Sequence, residues 1–414
     1  MSQTLFKNAN IFTPVDSGHA QSGKKQDRLL QYQKGSLLIK NGKIAAIGSQ
    51  YHVEQHIDNI ASIEGIDVQG RCLIPGFVDP HTHMCFAVRR EAEFELRIGG
   101  TPYLEILKQG GGILSSVKGV AAASEDALFE VTRNHAQSAL KTGTTTLEIK
   151  SGYGLDTENE LKMLRAIGRL AQEGPQDIVA TFLGAHAIPS SYKDKPDEFI
   201  ECVIDEMLPA VQEQGIAHHC DIFCEAGVFS IEQSRKLLAA AKTRGMQVKL
   251  HADEVNDLGG AGLAAELGAC SADHLLAASD ENIRAMAKAG VVANLLPATA
   301  YSLRKPYARA RFMIENDLPV ALATDCNPGS SYTESMPFII GLAVLNMMMT
   351  PAEALVGATL NAAYALGLAD KVGSLDIGKQ ADFLILDGET PAIIAYHAGV
   401  SPVVEVYKKG RRVF

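Results

Sequence analysis

The sequence has no uninterrupted apolar run long enough to span a membrane, and its first residues lack the apolar segment of a signal peptide. It also lacks a basic stripe, because lysine and arginine are scattered and the net charge is -10. No membrane or nucleic-acid partner is therefore expected, and the expected compartment is the cytoplasm. Its seven cysteines, an odd number lying mostly in apolar stretches, favour reduced core thiols over a disulfide framework.

The two ends of the chain share one pattern, short apolar runs broken by glycine. Near the start, "GSLLIKNGKIAAIGS" carries Asn41-Gly42 between two such runs, a strong hairpin signal. Near the end, "GSLDIGKQADFLILDGE" and "VVEVYKKGRRVF" look alike. We expect residues 1–73 and 369–414 to form one small β-sandwich domain around a barrel of residues 74–368. The polar residues 14–30 are predicted to be an exposed loop of that domain.

Between these ends, strand-like apolar runs alternate with amphipathic helical stretches such as "SEDALFEVTRNHAQSALKTG", "TENELKMLRAIGRLAQEG" and "SIEQSRKLLAAAKTRG". These three stretches each begin with Ser or Thr and end at Gly, as helix capping predicts. There are eight strand candidates: "CLIPGFVDPHTH", "TTTLEIKSGYG", "IVATFLGAHAIP", "CDIFCEAGVFS", "QVKLHADE", "SADHLL", "GVVANLLP" and "PVALATDCNPGS". This alternation predicts an α/β fold with a (β/α)₈ barrel, whose active site would lie at the carboxyl ends of the strands.

Polar residues cluster at those predicted strand ends. They are His81, His83, Lys150, Tyr153, His186, Glu225, His251, Glu254, His274, Asp325 and Asn327. Residues that merely filled the core would be spread along the strands. The pattern therefore predicts a functional site at this end of the barrel.

The alternation of His81 and His83 places both side chains on one side of a strand, which suits two ligands of one metal ion. His251 and Asp325 close two later strands and would add an imidazole and a carboxylate. Such a set, with room for water, fits an open catalytic Zn²⁺ or Fe²⁺ site. The rival cluster "HHCDIFC" has no second group at zinc-finger spacing and is better explained as a strand. A carbamylated Lys150 bridging two metals is the other alternative, and Lys150 stays unassigned.

The remaining polar residues suggest catalysis and substrate binding. A metal ion lowers the pKa of a bound water to about 7, and Glu254 lies near enough to His251 in sequence to take its proton. His274 would orient that water or play a structural role. A substrate carboxylate would be met by Arg90 and by donors from Asn327, Gly329 and Ser330. The alternative for Arg90 is a simple ion pair on a helix surface.

Several motifs together resemble a known family. "PGFVDPHTH", "HADE", "ATD" and "GSLDIGKQADFLILD" are similar to the amidohydrolase superfamily over nearly the whole chain. "HTHMCFAVRREAEFELR", "TTTLEIKSGYGL", "FLGAHAIP", "SADHL" and "ATDCNPGS" are similar, more narrowly, to its imidazolonepropionase family of histidine degradation.

The resemblance implies hydrolysis of 4-imidazolone-5-propanoate to N-formimidoyl-L-glutamate with one Zn²⁺ or Fe³⁺ per chain, and a homodimer. By motif, it places His81, His83, His251 and Asp325 on the metal. Its substrate-binding residues are Arg90 (with Arg89 as the alternative), Tyr153, His186, Glu254, Asn327, Gly329 and Ser330. Catalysis would fall to Glu254, His274 and Asp325. Two rival functions remain: a deaminase of aminated heterocycles on the same scaffold, and a non-catalytic assembly protein that has lost its metal.

Overall fold

The structure is a computed structural model that describes residues 3–57, 63–101, 105 and 111–414. The strands, in chain order, are β1 Gln3–Pro14, β2 Leu29–Lys40, β3 Lys43–Gly48, β4 Glu64–Asp67, β5 Cys72–Pro75, β6 Phe77–Asp79, β7 Thr144–Lys150, β8 Asp177–Ala185, β9 His219–Cys224, β10 Gln247–Ala252, β11 Ser271–His274, β12 Val292–Leu295, β13 Val320–Leu322, β14 Phe383–Leu386, β15 Val403–Lys408 and β16 Arg411–Arg412. They form two sheets of eight strands each.

One sheet is the barrel. Strands β6 to β13 pair side by side in sequence order, every pair parallel. The ring closes just beyond β6 and β13, where Thr82 and Cys326 form a parallel bridge. Each of the eight predicted strand stretches overlaps one of these strands, which confirms the (β/α)₈ prediction.

Helices connect the strands and cover the outside of the barrel. Their bounds are Gln50–Glu54, Glu91–Ile98, Ile113–Ala122, Glu125–Lys141, Thr157–Glu173, Pro196–Cys202, Leu208–Gln214, Ile231–Thr243, Gly260–Leu267, Asp280–Ala289, Pro297–Leu303, Ala310–Glu315, Met336–Asn346, Pro351–Gly357, Leu360–Ala365 and Ile393–Tyr396, with a π-helical turn at Val203–Met207. Ser124 and Ser230 cap their helices as predicted. In the stretch that opens with Thr157, the cap is Asp156, since its carboxylate accepts from the Asn159 N–H. Among the described helices, none has the length and apolar character needed to cross a bilayer.

The second sheet joins the two ends of the chain in the order β16-β15-β14-β5-β1-β2-β3, with β4 beside β1. The predicted hairpin lies between β2 and β3, where Asn41 and Gly42 both have positive φ, 52° and 77°. Such a pair matches the turn type that Asn-Gly favours. Phe6 packs against Phe383 and Tyr407 in the core of this sheet, with ring centroids 4.9 Å apart in both pairs. The predicted β-domain built from both ends is confirmed.

The apolar run before His81 serves both sheets. Its first part, β5, pairs with β14 of the terminal sheet, and its second part, β6, is the first barrel strand. Between them, a Cβ on Gly76 would lie 2.3 Å from Oγ1 of Thr145. The close approach of the backbone to β7 therefore requires glycine at this position.

The prediction that residues 14–30 form an exposed loop was wrong for the middle of the segment, where Gln21 and Gln26 are buried. The Gln26 amide donates to the Val320 carbonyl at 3.0 Å and accepts from the Val320 N–H at 3.1 Å. Gln21 is bound by Asn361 through its backbone N–H and carbonyl. Gln26 thus pairs with the backbone at the start of β13 directly, and Gln21 is linked to it through Asn361, whose amide also donates to the Val320 carbonyl. A composition rule for loops does not reveal these distant partners.

Candidate active site

Three imidazoles and a carboxylate converge at the carboxyl ends of the barrel strands. His81 and His83 follow β6, His251 lies in β10, and Asp325 follows β13. Nε2 of His83 is 3.2 Å from Nε2 of His81 and 3.3 Å from Nε2 of His251. Oδ1 of Asp325 lies 3.4 Å and 3.6 Å from the Nε2 atoms of His81 and His83. All four residues are buried, so the convergence is not an accident of exposed side chains.

The spacing of these atoms fits a metal ion. Two nitrogens bound tetrahedrally to zinc at about 2.0–2.1 Å are about 3.3 Å apart. Burial, followed by nearby cationic groups, lowers the pKa of both His81 and His83, so the rings are neutral and offer lone pairs. Two such lone pairs cannot hydrogen-bond to each other, and a shared cation explains why they face one another. The donor set therefore fits the metal that the sequence predicts.

Two groups within the described ranges could hold a metal, His81 with His83 and His251, and His81 with His274 and Asp325. They share His81 and belong to one site. Neither includes any residue of the "HHCDIFC" run, which forms β9 with Cys220 and Cys224 packed in the core.

Two carboxylates hold the outer nitrogens of the ligand histidines. Nδ1 of His81 donates to Oδ2 of Asp273 at 2.5 Å, and Nδ1 of His251 lies 3.0 Å from Oδ2 of Asp221. Burial alone would lower the pKa of His251, but the Asp221 carboxylate outweighs it and raises the pKa. Carboxylates in this position fix the ring orientation and direct Nε2 to the metal. Sequence reasoning missed both residues. The available signal was an acidic residue inside an otherwise apolar strand.

Glu254 and His274 lie beside this centre. Oε1 of Glu254 is 3.8 Å from Nδ1 of His274, and the Glu254 side chain keeps 16% of its surface exposed. Burial raises the pKa of Asp325 to about 6, the opposite of what a bound cation would do. Oδ2 of Asp325 accepts a hydrogen bond from the Thr299 hydroxyl at 2.5 Å, so Oδ1 faces the imidazoles. The structure thus brings the predicted acid/base residue and the predicted ligands together.

Tyr153 and His186 form the opposite wall. The His186 ring stacks on His83 at 4.8 Å, and the Tyr153 ring is 5.3 Å from His186. Nδ1 of His186 lies 3.0 Å from the Gly152 carbonyl oxygen and donates to it, and burial lowers the pKa of His186 to about 3. The neutral ring therefore turns an accepting Nε2 away from that carbonyl.

Glu225, another residue singled out at a strand end, organises the loop after Glu254. Its carboxylate accepts from the Val255 N–H at 2.9 Å and from the Asn256 side-chain amide at 2.8 Å. Its hydrogen bonds with residues of the described chain go to this loop and to Ala226, so it acts on the shape of the loop.

Arg90 and the loop after Asp325 line a cavity of about 300 Å³ together with Arg89, Tyr301 and Tyr332. Nε and Nη2 of Arg90 donate to Oε2 of Glu93 at 3.0 Å and 2.7 Å. On the other side, a Cβ on Gly329 would lie 2.7 Å from Nη1 of Arg90. Glycine therefore lets the guanidinium lie against the loop.

The Asn327 amide stabilises that loop from within. Its oxygen accepts from the N–H groups of Gly329 and Ser330 at 2.8 Å and 2.7 Å, and its nitrogen donates to the Asp325 carbonyl at 2.7 Å. Arg97, the last residue of the motif "HTHMCFAVRREAEFELR" and not among the predicted site residues, donates to the Gly329 carbonyl at 3.1 Å and to the Ser302 hydroxyl at 3.1 Å. Arg97 thereby fixes the loop from the helix that follows Arg90.

The fold and the convergent histidines define a class, and comparison with known proteins agrees. Residues 72–413 match the model of the Amidohydrolase family, so the chain belongs to the amidohydrolases, a metal-dependent family. Its full-length relatives narrow the assignment. An imidazolonepropionase of Desulfotalea psychrophila is 67% identical over all of both chains, and one of Syntrophobacter fumaroxidans is 60% identical over 99% of this chain and 96% of its own. Within the amidohydrolases, the chain is a member of the imidazolonepropionase family.

Solved structures support the same fold. The guanine deaminase of E. coli superposes with a TM-score of 0.74 over 100% of this chain and 99% of its own, at 16% sequence identity. The deaminase therefore has the same overall fold as this chain.

Proposed function

We propose that this chain hydrolyses the cyclic amide of 4-imidazolone-5-propanoate to N-formimidoyl-L-glutamate. The observation that carries the proposal is the convergence of three Nε2 atoms and the Asp325 carboxylate beside Glu254, at the carboxyl end of the barrel. The full-length relatives named imidazolonepropionase support the same reaction, and they do not favour the deaminase or the non-catalytic alternative.

His81, His83, His251 and Asp325 would hold one metal ion per chain, Zn²⁺ or Fe³⁺, since imidazole and carboxylate ligands suit both. Such an ion, when bound, supplies a Lewis acid for the amide carbonyl and lowers the pKa of the attacking water. The four side chains contribute fixed positions, three imidazole rings and one carboxylate that the Thr299 hydroxyl orients.

Glu254 would accept the proton of the attacking water and deliver it to the ring nitrogen that leaves. Its carboxylate lies beside the proposed metal ligands, and the side chain lines a cavity together with Leu276 and Thr299. His274, 3.8 Å away, would orient the Glu254 carboxylate and the water. Asp325 is the second carboxylate next to the reacting atoms. Proton transfer by a placed carboxylate of this kind contributes about 100- to 10,000-fold to a rate.

The substrate would be oriented by its two polar ends. Its carboxylate would meet Nη1 of Arg90, because Nε and Nη2 are already held by Glu93. Arg89 is the alternative partner, 5.7 Å from the centre of the Tyr332 ring. Ser330 and Gly329 would close around that carboxylate.

The imidazolone ring would lie against Tyr153 and His186. Nε2 of His186 is a hydrogen-bond acceptor, so we propose that it accepts from a ring N–H of the substrate. Stabilisation of the negative charge that develops on the amide oxygen would then fall to the metal.

The test is turnover of freshly made 4-imidazolone-5-propanoate by purified protein of known metal content. Ring absorbance, formimidoylglutamate and ammonia are followed together against a reaction without enzyme. We expect accelerated ring loss with formimidoylglutamate as product and no ammonia. Ammonia release would replace the proposal with a deaminase, and no acceleration by metal-loaded protein would refute the substrate.

We propose further that the enzyme acts as a homodimer in the cytoplasm without a nucleic-acid partner, and that its domains are residues 1–73 and 369–414 around the barrel of 74–368. Light scattering of the purified chain measures whether it forms a dimer. A monomer at micromolar concentration would refute the dimer.

A further inference from the structure

A layer of charged side chains fills the barrel directly beneath the metal ligands. Its members are fully buried, come from strands β7, β9, β10 and β11, and carry opposite charges. They are Glu148, Lys150, Asp221, Lys249 and Asp273. Barrel interiors are usually filled by branched apolar residues, so the presence of five ionisable groups in one layer needs a physical explanation. Burying such groups is costly unless each is paired.

Lys150 is the centre of this layer. Its Nζ lies 2.8 Å from Oδ2 of Asp221, 2.8 Å from Oε2 of Glu148 and 3.8 Å from Oδ2 of Asp273. A carbamylated lysine would add a negative charge among these three carboxylates, which rules against the bridging role considered from the sequence.

Two of those three carboxylates also hold ligand histidines, through the same oxygens. Oδ2 of Asp221 lies 3.0 Å from Nδ1 of His251, and Oδ2 of Asp273 lies 2.5 Å from Nδ1 of His81. Lys150 is therefore one carboxylate away from two of the three ligand imidazoles.

His83 has no carboxylate comparable to Asp221 or Asp273, because its one acidic neighbour within 4.0 Å among the described residues is Asp325, itself a proposed ligand. The orientation of the centre thus depends on the other two rings and on what holds their carboxylates.

We propose that Lys150 is a positioning residue of the metal centre: it holds the Asp221 and Asp273 carboxylates in place and so aims His251 and His81 at one metal ion. Oδ1 of Asp221 accepts from the N–H groups of Ile222 and His251, and Oδ1 of Asp273 accepts from the Ser271 hydroxyl. The ammonium of Lys150 adds a positive charge next to the two Oδ2 atoms, the oxygens that face the imidazoles. Without the ammonium, Glu148 would keep Lys249, but Asp221 and Asp273 would have no lysine or arginine within 4.0 Å among the described residues. Repulsion between the buried carboxylates would move the Asp221 and Asp273 side chains, and the two rings with them. The inference rests on the proposed ligand set.

The experiment uses Co²⁺ as the probe, because its visible spectrum reports ligand geometry without any substrate. The wild-type chain, freed of metal, is titrated with Co²⁺ first. No binding by the wild type would refute the ligand set itself, whereas binding allows the role of Lys150 to be tested.

The test variant is Lys150→Met, which keeps an unbranched side chain, one atom shorter, and removes its charge. We expect about 10- to 100-fold weaker Co²⁺ binding in competition with a chromophoric chelator, the range typical of lost outer contacts, together with a changed visible spectrum.

Lys249→Met is the matched control. Lys249 is equally buried and also faces Glu148, at 3.3 Å, but its ammonium donates to the Pro80 carbonyl and contacts neither Asp221 nor Asp273. It should lose stability to a similar extent and keep the wild-type Co²⁺ spectrum. Equal spectral changes in both variants would show a general effect of the charged layer and overturn the proposal.

Asp221→Asn tests the same connection if Lys150→Met does not fold. It keeps an acceptor for Nδ1 of His251 and loses the ion pair with Lys150, so the spectrum should change in the same direction. A wild-type spectrum and affinity in either variant would overturn the proposal.

Discussion

Replacing Glu254 by Gln separates the acid/base step from metal binding. The change removes the proton-accepting oxygen and keeps the size of the side chain. Glu254 belongs to neither group that could hold a metal, and its Oε1 is 3.8 Å from Nδ1 of His274, beyond hydrogen-bond distance. The side chain is also partly exposed. We therefore expect the metal content to stay the same and the free energy of unfolding to change by no more than about 0.5 kcal/mol.

The expected loss is in turnover. A positioned general base is worth about 100- to 10,000-fold, or about 3–5 kcal/mol of transition-state stabilisation, and the whole of it should appear in kcat. The assay follows loss of the imidazolone ring at saturating substrate, with metal measured on the same sample. Asp257→Asn, at an exposed acid of the same loop, is the control and should keep wild-type turnover. A Glu254→Gln enzyme that retains more than a tenth of wild-type kcat would remove Glu254 from the proton transfer.

Three further predictions concern other parts of the structure. Gly329→Ala places a Cβ 2.7 Å from Nη1 of Arg90, so KM should rise about tenfold with kcat nearly unchanged, and steady-state kinetics with unaltered KM would contradict that placement. Gln26→Ala leaves the Val320 N–H without its side-chain acceptor, while the Val320 carbonyl keeps the Asn361 amide, so the change should cost about 1–3 kcal/mol in urea unfolding. A loss under about 0.5 kcal/mol would mean that the segment does not stabilise the barrel. Burial lowers the pKa of His219 to about 4, so between pH 6.5 and 4 the unfolded chain binds a proton that the folded chain does not. Stability should therefore decrease by roughly 3 kcal/mol as the pH falls over that range, and His219→Gln should flatten this dependence in denaturation curves at pH 7 and pH 4.5.

Much of the fold could be predicted from local pattern. Each of the eight apolar runs became a barrel strand, and Asn41-Gly42 became the hairpin turn, because strand alternation and turn chemistry are properties of a few adjacent residues. The failures came where a distant partner decides. From the local sequence Gln26 is predicted to be a loop residue, and only the folded structure brings the backbone at the start of β13 to its side chain. The first apolar run was predicted as one strand and forms two, one in each sheet.

The same division applies to the site. The order of residues along the chain fixes which side chains end the strands, and it is enough to select His81, His83, His251, Glu254 and Asp325 as candidates. How these side chains meet depends on the tertiary structure, which turns the Nε2 atoms toward one point and places a carboxylate behind each of two rings. The physical reason is that neighbouring strands of a parallel barrel are separated in sequence by a whole helical connection. Contacts between side chains of different strands, including those of Lys150, exist only once the barrel has formed.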